Sequence, residues 1–150
     1  MTDVKGGSPQ NPIDNSAEWV AAHIRAFDEP DGSGWPTQRG APLLTLTTKG
    51  AKSNLWRRTV LIYGEDHGRF IIVASKGGAP KPPGWYVNLA ENPEVLVQVE
   101  DRKFRALATT AGPDEKPNLW DQMVGIWPDY ANYQEKTDRD IPVVILDPLH

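Results

Sequence analysis

Apolar positions set the first expectations. In residues 16–27, Trp19, Val20, Ile24 and Phe27 recur at helical spacing, and Asp14 or Ser16 stands where a cap is needed. Residues 28–39 are broken by Pro30, Gly32, Gly34 and Pro36 and read as a loop. Strand patterns then dominate. Residues 43–48, 57–63 and 70–75 are rich in β-branched and aliphatic side chains, with a hairpin turn over 64–68. A Gly/Pro loop at 76–84 leads into a short helix over 85–91, ended by Asn92-Pro93. Residues 95–100 and 103–109 form a second hairpin around Asp101-Arg102, and 114–124 a helix with an acidic first turn. One or two helical turns at 130–136 and an apolar strand at 143–146 complete the pattern.

Hairpin neighbours predict antiparallel pairing, and helix–strand alternation is too sparse for a doubly wound fold. The expected fold class is α+β: a small barrel or strongly curved, mostly antiparallel sheet, with the 85–91 helix over an open side. Residues 1–15 are polar and rich in Gly, Pro and Asn, and read as a disordered lead-in to one domain over 16–150. They hold no apolar leader core, so a cytoplasmic setting is expected.

Charge and composition narrow the function. The chain has no cysteine, which excludes thiolate chemistry. Its net charge of −4 offers nucleic acid no global attraction. Yet Lys49, Lys52, Arg57 and Arg58 fall in a stretch without acids, and Lys76 and Lys81 in another. Cationic patches on an acidic chain suit a specific anionic ligand, although a solvated face explains one such cluster equally well. Gly32 and Gly34 follow no strand, and Ala51 stands where a phosphate loop needs glycine. No Gly-x-Ser-x-Gly elbow is present. His23, His67 and His150 lack metal-ligand spacing and read as surface residues, so no metal is expected. Few proton-transfer groups among many cations and aromatics suit a protein whose cofactor carries the chemistry.

Several segments carry a resemblance. Leu46-Thr-Thr-Lys-Gly-Ala-Lys-Ser53, Arg57 and Leu61-Ile-Tyr63 resemble the first hairpin of the deazaflavin (F420)-dependent nitroreductase family. Val73-Ala-Ser-Lys-Gly-Gly-Ala-Pro-Lys81 with Gly84-Trp-Tyr-Val-Asn-Leu-Ala-Glu-Asn-Pro93 resembles the next part. Trp127-Pro-Asp-Tyr-Ala-Asn-Tyr-Gln134, Thr137-Asp-Arg139 and Ile141-Pro-Val143 extend the match, which covers about residues 40–148. The resemblance implies a split β-barrel like that of FMN-binding proteins. It also implies coenzyme F420 as hydride donor to a quinone, nitroaromatic or enone-type acceptor. The rival readings are an FMN-dependent oxidoreductase of the same fold and a non-catalytic F420 carrier.

The resemblance also assigns roles. Lys52, Ser53 and Arg57 match positions at the anionic tail of F420, and Lys76 a further tail or phosphate contact. Lys49 and Arg58 would add field without contact. The Val73, Ala74 and Ser75 backbone would lie along the deazaflavin ring, with Gly77 and Gly78 allowing close approach. Trp85, Tyr86 and Asn88 share the short helix; Leu89 and either Trp85 or Tyr86 would pack in the core. Tyr130 and Tyr133, three apart, would line the acceptor pocket as catalytic hydroxyls, with packing an equal alternative for Tyr133. The chain departs from the family at Ser53-Asn-Leu-Trp56, where Asn54 can take the turn conformation. A homodimer is a plausible assembly for such barrels. The first helix lacks the basic face that would favour a membrane surface.

Overall fold

The structure, a computed structural model, describes residues 6–149. Residues 1–5 of the expected lead-in, and His150, lie outside the described residues. The elements run β1 (Ile13–Asp14), α1 (Glu18–Asp28), β2 (Thr37–Gln38), β3 (Ala41–Lys49), β4 (Trp56–Ile62), β5 (Gly64–Asp66), β6 (Arg69–Val73), α2 (Gly84–Glu91), β7 (Glu94–Val99), β8 (Arg102–Thr110), α3 (Lys116–Ile126), α4 (Asp129–Glu135) and β9 (Val143–Pro148). A 3-10 turn at Lys76–Gly78 lies between β6 and α2.

The fold is mixed α+β, and its large sheet runs β1-β4-β3-β7-β8-β9-β6-β5, with β2 paired to the start of β3. Among the described residues, only the β1–β4 pairing is parallel. Both faces of the central strands are covered, which is why they read as apolar runs rather than alternating ones. Leu44 and Leu46 of β3 point into the barrel with Ile72, Val95, Val97, Val144 and Leu146. Leu43, facing the other way, packs beneath α1 with Val20, Ile24, Phe27 and Val60. Ile71, Val73, Val143 and Ile145 face α3 and α4, where Leu119, Met123 and Tyr130 cover them. Each side chain of this kind contributes about 1.5–3 kcal/mol by leaving water.

The barrel is split where one ribbon changes partner. As far as Ile62 it pairs with β3; from Gly64 onward it pairs with β6. Gly64 sits at the bend, where an added Cβ would meet Met123 Sδ at 2.8 Å, so α3 packs directly on the backbone.

Several expectations need correction. The sheet has three more strands than expected, all short: β1, β2 and β5. β5 occupies most of the expected 64–68 turn, because His67 and Gly68 alone reverse the chain, both at positive φ. α1 begins at Glu18 with Ala17 as its cap residue and no side-chain cap. Asp14 is instead drawn to Arg58, and Asn15 Oδ1 accepts the Ala17 N–H. α3 begins at Lys116, beyond the acidic residues Asp114 and Glu115, because Pro117 suits a first turn that needs no N–H there.

Of the expected lead-in, Gly7, Ser8, Asn11 and residues 13–15 have defined partners. Trp56 donates its N–H to Gly7 O at 2.7 Å, and Ile13 and Asp14 pair with Arg57 and Arg58. His23 is also not a simple surface residue: its Nδ1 is buried and has no partner among the described residues.

Candidate active site at the split of the barrel

A cavity of about 880 Å³ opens where β4 parts from the end of β6. Residues 57–62 of β4 form one wall and Val73, Ser75, Lys76 and Gly77 another. Trp85 and Asn88 enter from α2, and Trp127, Tyr130 and Tyr133 from α4 and the turn before it. Residues 13–16 with Trp19 and Val20 of α1 close the far side, and Gln38 and Arg39 stand at the margin. Nine predicted site residues therefore meet here: Arg57, Val73, Ser75, Lys76, Gly77, Trp85, Asn88, Tyr130 and Tyr133.

The turn after β6 has unusual backbone. Lys76, Gly77 and Gly78 have φ of +46°, +64° and +84° in succession. A non-glycine residue in this region costs on the order of 1 kcal/mol or more, so surrounding contacts must hold Lys76 there. The two glycines answer different needs. A Cβ on Gly77 would meet nothing within 4 Å, which leaves backbone bare against the cavity. A Cβ on Gly78 would lie 2.6 Å from Tyr133 O, so this glycine seats the turn against α4.

Charge is distributed unevenly. Arg57 and Lys76 are exposed, and neither forms an ion pair with a described residue. Arg58 is committed elsewhere: it donates to Asp14 and Asp28 at 2.7–3.1 Å, which tie the end of β1 and the end of α1 to β4. Arg39 lies 5.1 Å from the Trp127 ring centroid and 3.8 Å from Asp129. The cavity wall thus offers two unpaired cations to an anion.

The tyrosines differ. Tyr130 is only 5% exposed, wedged against Trp120 and Tyr133 with ring centroids 6.4 and 6.1 Å away. Burial, reinforced by Tyr133, pushes its phenol well above the ordinary tyrosine range, and no hydrogen bond steadies the anion. It is therefore a neutral hydroxyl donor in the cavity wall at any ordinary pH. Tyr133 is half-buried, and its oxygen already accepts from Trp127 Nε1 at 3.4 Å.

Four predicted residues, Lys52, Ser53, Ala74 and Tyr86, stand off the wall. Ala74 is fully buried behind it. Tyr86 packs on the barrel core and shares a 2.9 Å hydrogen bond with Thr110 Oγ1. Ser53 Oγ accepts the Leu55 N–H at 3.1 Å and closes the β3–β4 turn. Lys52 is exposed on that turn, and Asn54 adopts the expected positive φ of +61°. Asn88 reaches the cavity with its amide committed: it donates to Thr48 Oγ1 at 3.1 Å and accepts the Ala51 N–H at 3.0 Å. It ties the tip of the β3–β4 hairpin to α2. Both Trp85 and Tyr86 pack against the core, and Trp85 alone also faces the cavity.

Sequence reasoning passed over Trp19, Arg39 and Trp127. Helical spacing puts Trp19 on the apolar face of the first helix, yet it is 54% exposed and turned to the cavity. Trp127 lies within a recognised segment, three residues before Tyr130, and that spacing was the available signal.

Comparison with known proteins gives consistent findings. The family model described as F420H(2)-dependent quinone reductase matches residues 19–148. A protein of Mycobacterium tuberculosis named as an F420H(2)-dependent quinone reductase is 44% identical over 109 residues, covering 70% of this chain and 72% of the relative. A solved structure described as an F420-H2 dependent reductase (FDR-A) superposes with a TM-score of 0.66 at 41% identity, covering 76% of this chain and 100% of the other. Another, described as a domain-swapped dimer, has a TM-score of 0.69 at 38% identity and covers 85% and 93% of the two chains.

Proposed function

Since the chain belongs to the F420H(2)-dependent quinone reductase family, we propose that its cavity holds reduced coenzyme F420 beside a quinone, which the enzyme reduces. The observation that carries this reading is the meeting, in one cavity, of two unpaired cations, bare glycine backbone and a buried neutral tyrosine. The residues fit the cofactor. F420 is polyanionic and carries a flat ring; Arg57 and Lys76 suit its anionic part, and the open face of Gly77 suits the close approach of a ring. When bound, the deazaflavin supplies the hydride.

The chain's own groups do the rest. Arg57 can grip a phosphate or carboxylate with two parallel bonds, while Lys76 acts as a point charge. The Trp19, Trp85 and Trp127 rings exclude water and offer flat faces to an aromatic acceptor. Tyr130 holds its proton and can donate a hydrogen bond to an acceptor oxygen as negative charge grows there. Exposed Lys52 lies on the hairpin beside this wall and would meet the outer end of a long tail.

The same donor and aromatic walls would serve a nitro group or an enone carbonyl, so we extend the acceptor class to those compounds. The reading includes a cytoplasmic enzyme, with residues 16–150 acting as one cofactor-binding unit. The likeness to a domain-swapped dimer supports a homodimer, measurable by light scattering. Parallel titrations test the core of the proposal. F420 is expected to bind at micromolar Kd or tighter, about −8 kcal/mol or better, and FMN much more weakly. Acceptor must then speed oxidation of the bound cofactor. Equal or tighter FMN binding would assign the cavity to a flavin; binding without turnover would make the protein a carrier.

A further inference from the structure

Arg139 has no carboxylate partner among the described residues and spends its guanidinium on main chain. Nε donates to Ala79 O at 2.9 Å, Nη1 to Ala74 O at 3.2 Å and Nη2 to Ser75 O at 2.8 Å. These carbonyls flank the turn whose backbone faces the cavity. β6–β9 register pairing ends at Val73; beyond it Ser75 O accepts the Gly78 N–H within the turn, and Arg139 adds a second donor there and supplies the donor to Ala74 O and Ala79 O. The planar fork of arginine can hold three carbonyls at once; the single ammonium of lysine cannot match that geometry.

The other end of the connection is α4. Gln134, next to Tyr133, donates from Nε2 to Arg139 O at 2.8 Å and accepts the Ile141 N–H at 3.0 Å. Thr137 Oγ1 accepts the Arg139 N–H at 3.3 Å. On the same side, Gly78 abuts Tyr133 O. One continuous set of bonds therefore links the turn at 75–79, through Arg139 and Gln134, to the helix carrying Tyr130 and Tyr133.

We infer that Arg139 is a positioning residue that clamps the turn to α4 and so sets the separation between the cofactor wall and the acceptor wall. The inference rests on the functional reading above only for what the two walls hold. Arg139 touches neither partner of the reaction. Its work is to keep Lys76 and Gly77 in their positive-φ conformations and at fixed distance from Tyr130, since small misplacements in a reacting geometry are costly.

The test uses Arg139→Lys and Arg139→Ala in the full chain. In cofactor-free protein, hydrogen exchange at the Gly78 and Ala79 amides is expected to rise at least tenfold relative to amides of β3 and β7. With cofactor, single-turnover acceptor reduction is expected to slow at least tenfold at saturation, while Kd for F420 shifts no more than threefold. Guanidinium chloride at millimolar concentration is expected to restore part of the rate to Arg139→Ala and none to Arg139→Lys. Should Arg139→Ala fail to fold, Gln134→Ala reads the same exchange and rate from the α4 end. Unchanged exchange at Gly78 and Ala79, an unchanged turnover rate, or exchange rising equally throughout the sheet would each overturn the inference. Failure of the wild-type chain to bind F420 would overturn the functional reading and leave the exchange result standing.

Discussion

Replacing Tyr130 with phenylalanine separates the two things this residue can do. Its ring is packed between Trp120 and Tyr133 at 5% exposure, and its hydroxyl makes no hydrogen bond to a described residue. Tyr130→Phe keeps the ring and strands no buried donor or acceptor. Stability should therefore change by less than about 0.5 kcal/mol, a Tm shift of about 1–2 °C for a chain of this size. The reaction should respond far more. A hydrogen bond to an oxygen gaining charge is worth about 1.5–3 kcal/mol, so kcat/KM should fall by roughly 10- to 150-fold. Burial keeps the phenol protonated, so the rate ratio of wild type to variant should stay flat up to about pH 10, where an ordinary tyrosine titrates. The assay is steady-state oxidation of reduced F420 by several quinones and one nitroaromatic, alongside thermal melting and F420 titration. Unchanged kcat/KM for every acceptor would refute the reasoning and leave Tyr130 as packing. So would a rate loss matched by a large fall in Tm.

Other outcomes follow from the same geometry. Arg57→Ala and Lys76→Ala should each weaken F420 binding by about 1–3 kcal/mol with little change in Tm, and added salt should shrink the difference; isothermal titration at two ionic strengths checks this. Gly78→Ala places a Cβ 2.6 Å from Tyr133 O at positive φ and should destabilise the fold by about 1–3 kcal/mol, read by denaturant unfolding. Arg58→Ala leaves Asp14 and Asp28 facing each other and should cost about 1–2 kcal/mol, with exchange rising first in β1 and α1. Burial penalises the Tyr130 phenolate and adds no stability below the unfolded value near 10; above it the unfolded chain releases a proton the native state keeps, so stability falls as pH rises. Tyr130→Phe should flatten that alkaline limb in pH-jump unfolding, and an unchanged limb would assign it elsewhere.

Local pattern carried most of the framework because burial on both faces leaves continuous apolar runs, as in Phe70–Val73. The short strands escaped notice because two- and three-residue pairings have no periodicity. Site residues were recovered where a turn concentrates them, as at Lys76 and Gly77. Charge is illegible where partners are remote: the stretch around Arg58 lacks acids in sequence, yet Asp14 and Asp28 lie 44 and 30 positions away and meet it in space. Asn88 lines the cavity while serving the hairpin, a distinction that only its hydrogen bonds reveal. Trp19 shows the converse, since helical spacing cannot tell a core face from a cavity face.

The sheet ends on β1 and β5, strands of two and three residues. Full-length strands at those places would each offer a row of free N–H and C=O groups to a neighbouring molecule. β4 is the vulnerable one, because Thr59, Val60, Leu61 and Ile62 follow its two β1-paired residues in an uncharged run rich in β-branched and aliphatic side chains. Residues 6–15 fasten over the start of that strand through Trp56, Arg57 and Arg58. They therefore shorten the free edge of β4 as well as closing one side of the cavity. A version trimmed to residue 16 would extend the free edge of β4 back to Trp56 and bare a longer template for intermolecular strand addition, with precipitation at high concentration as the expected failure.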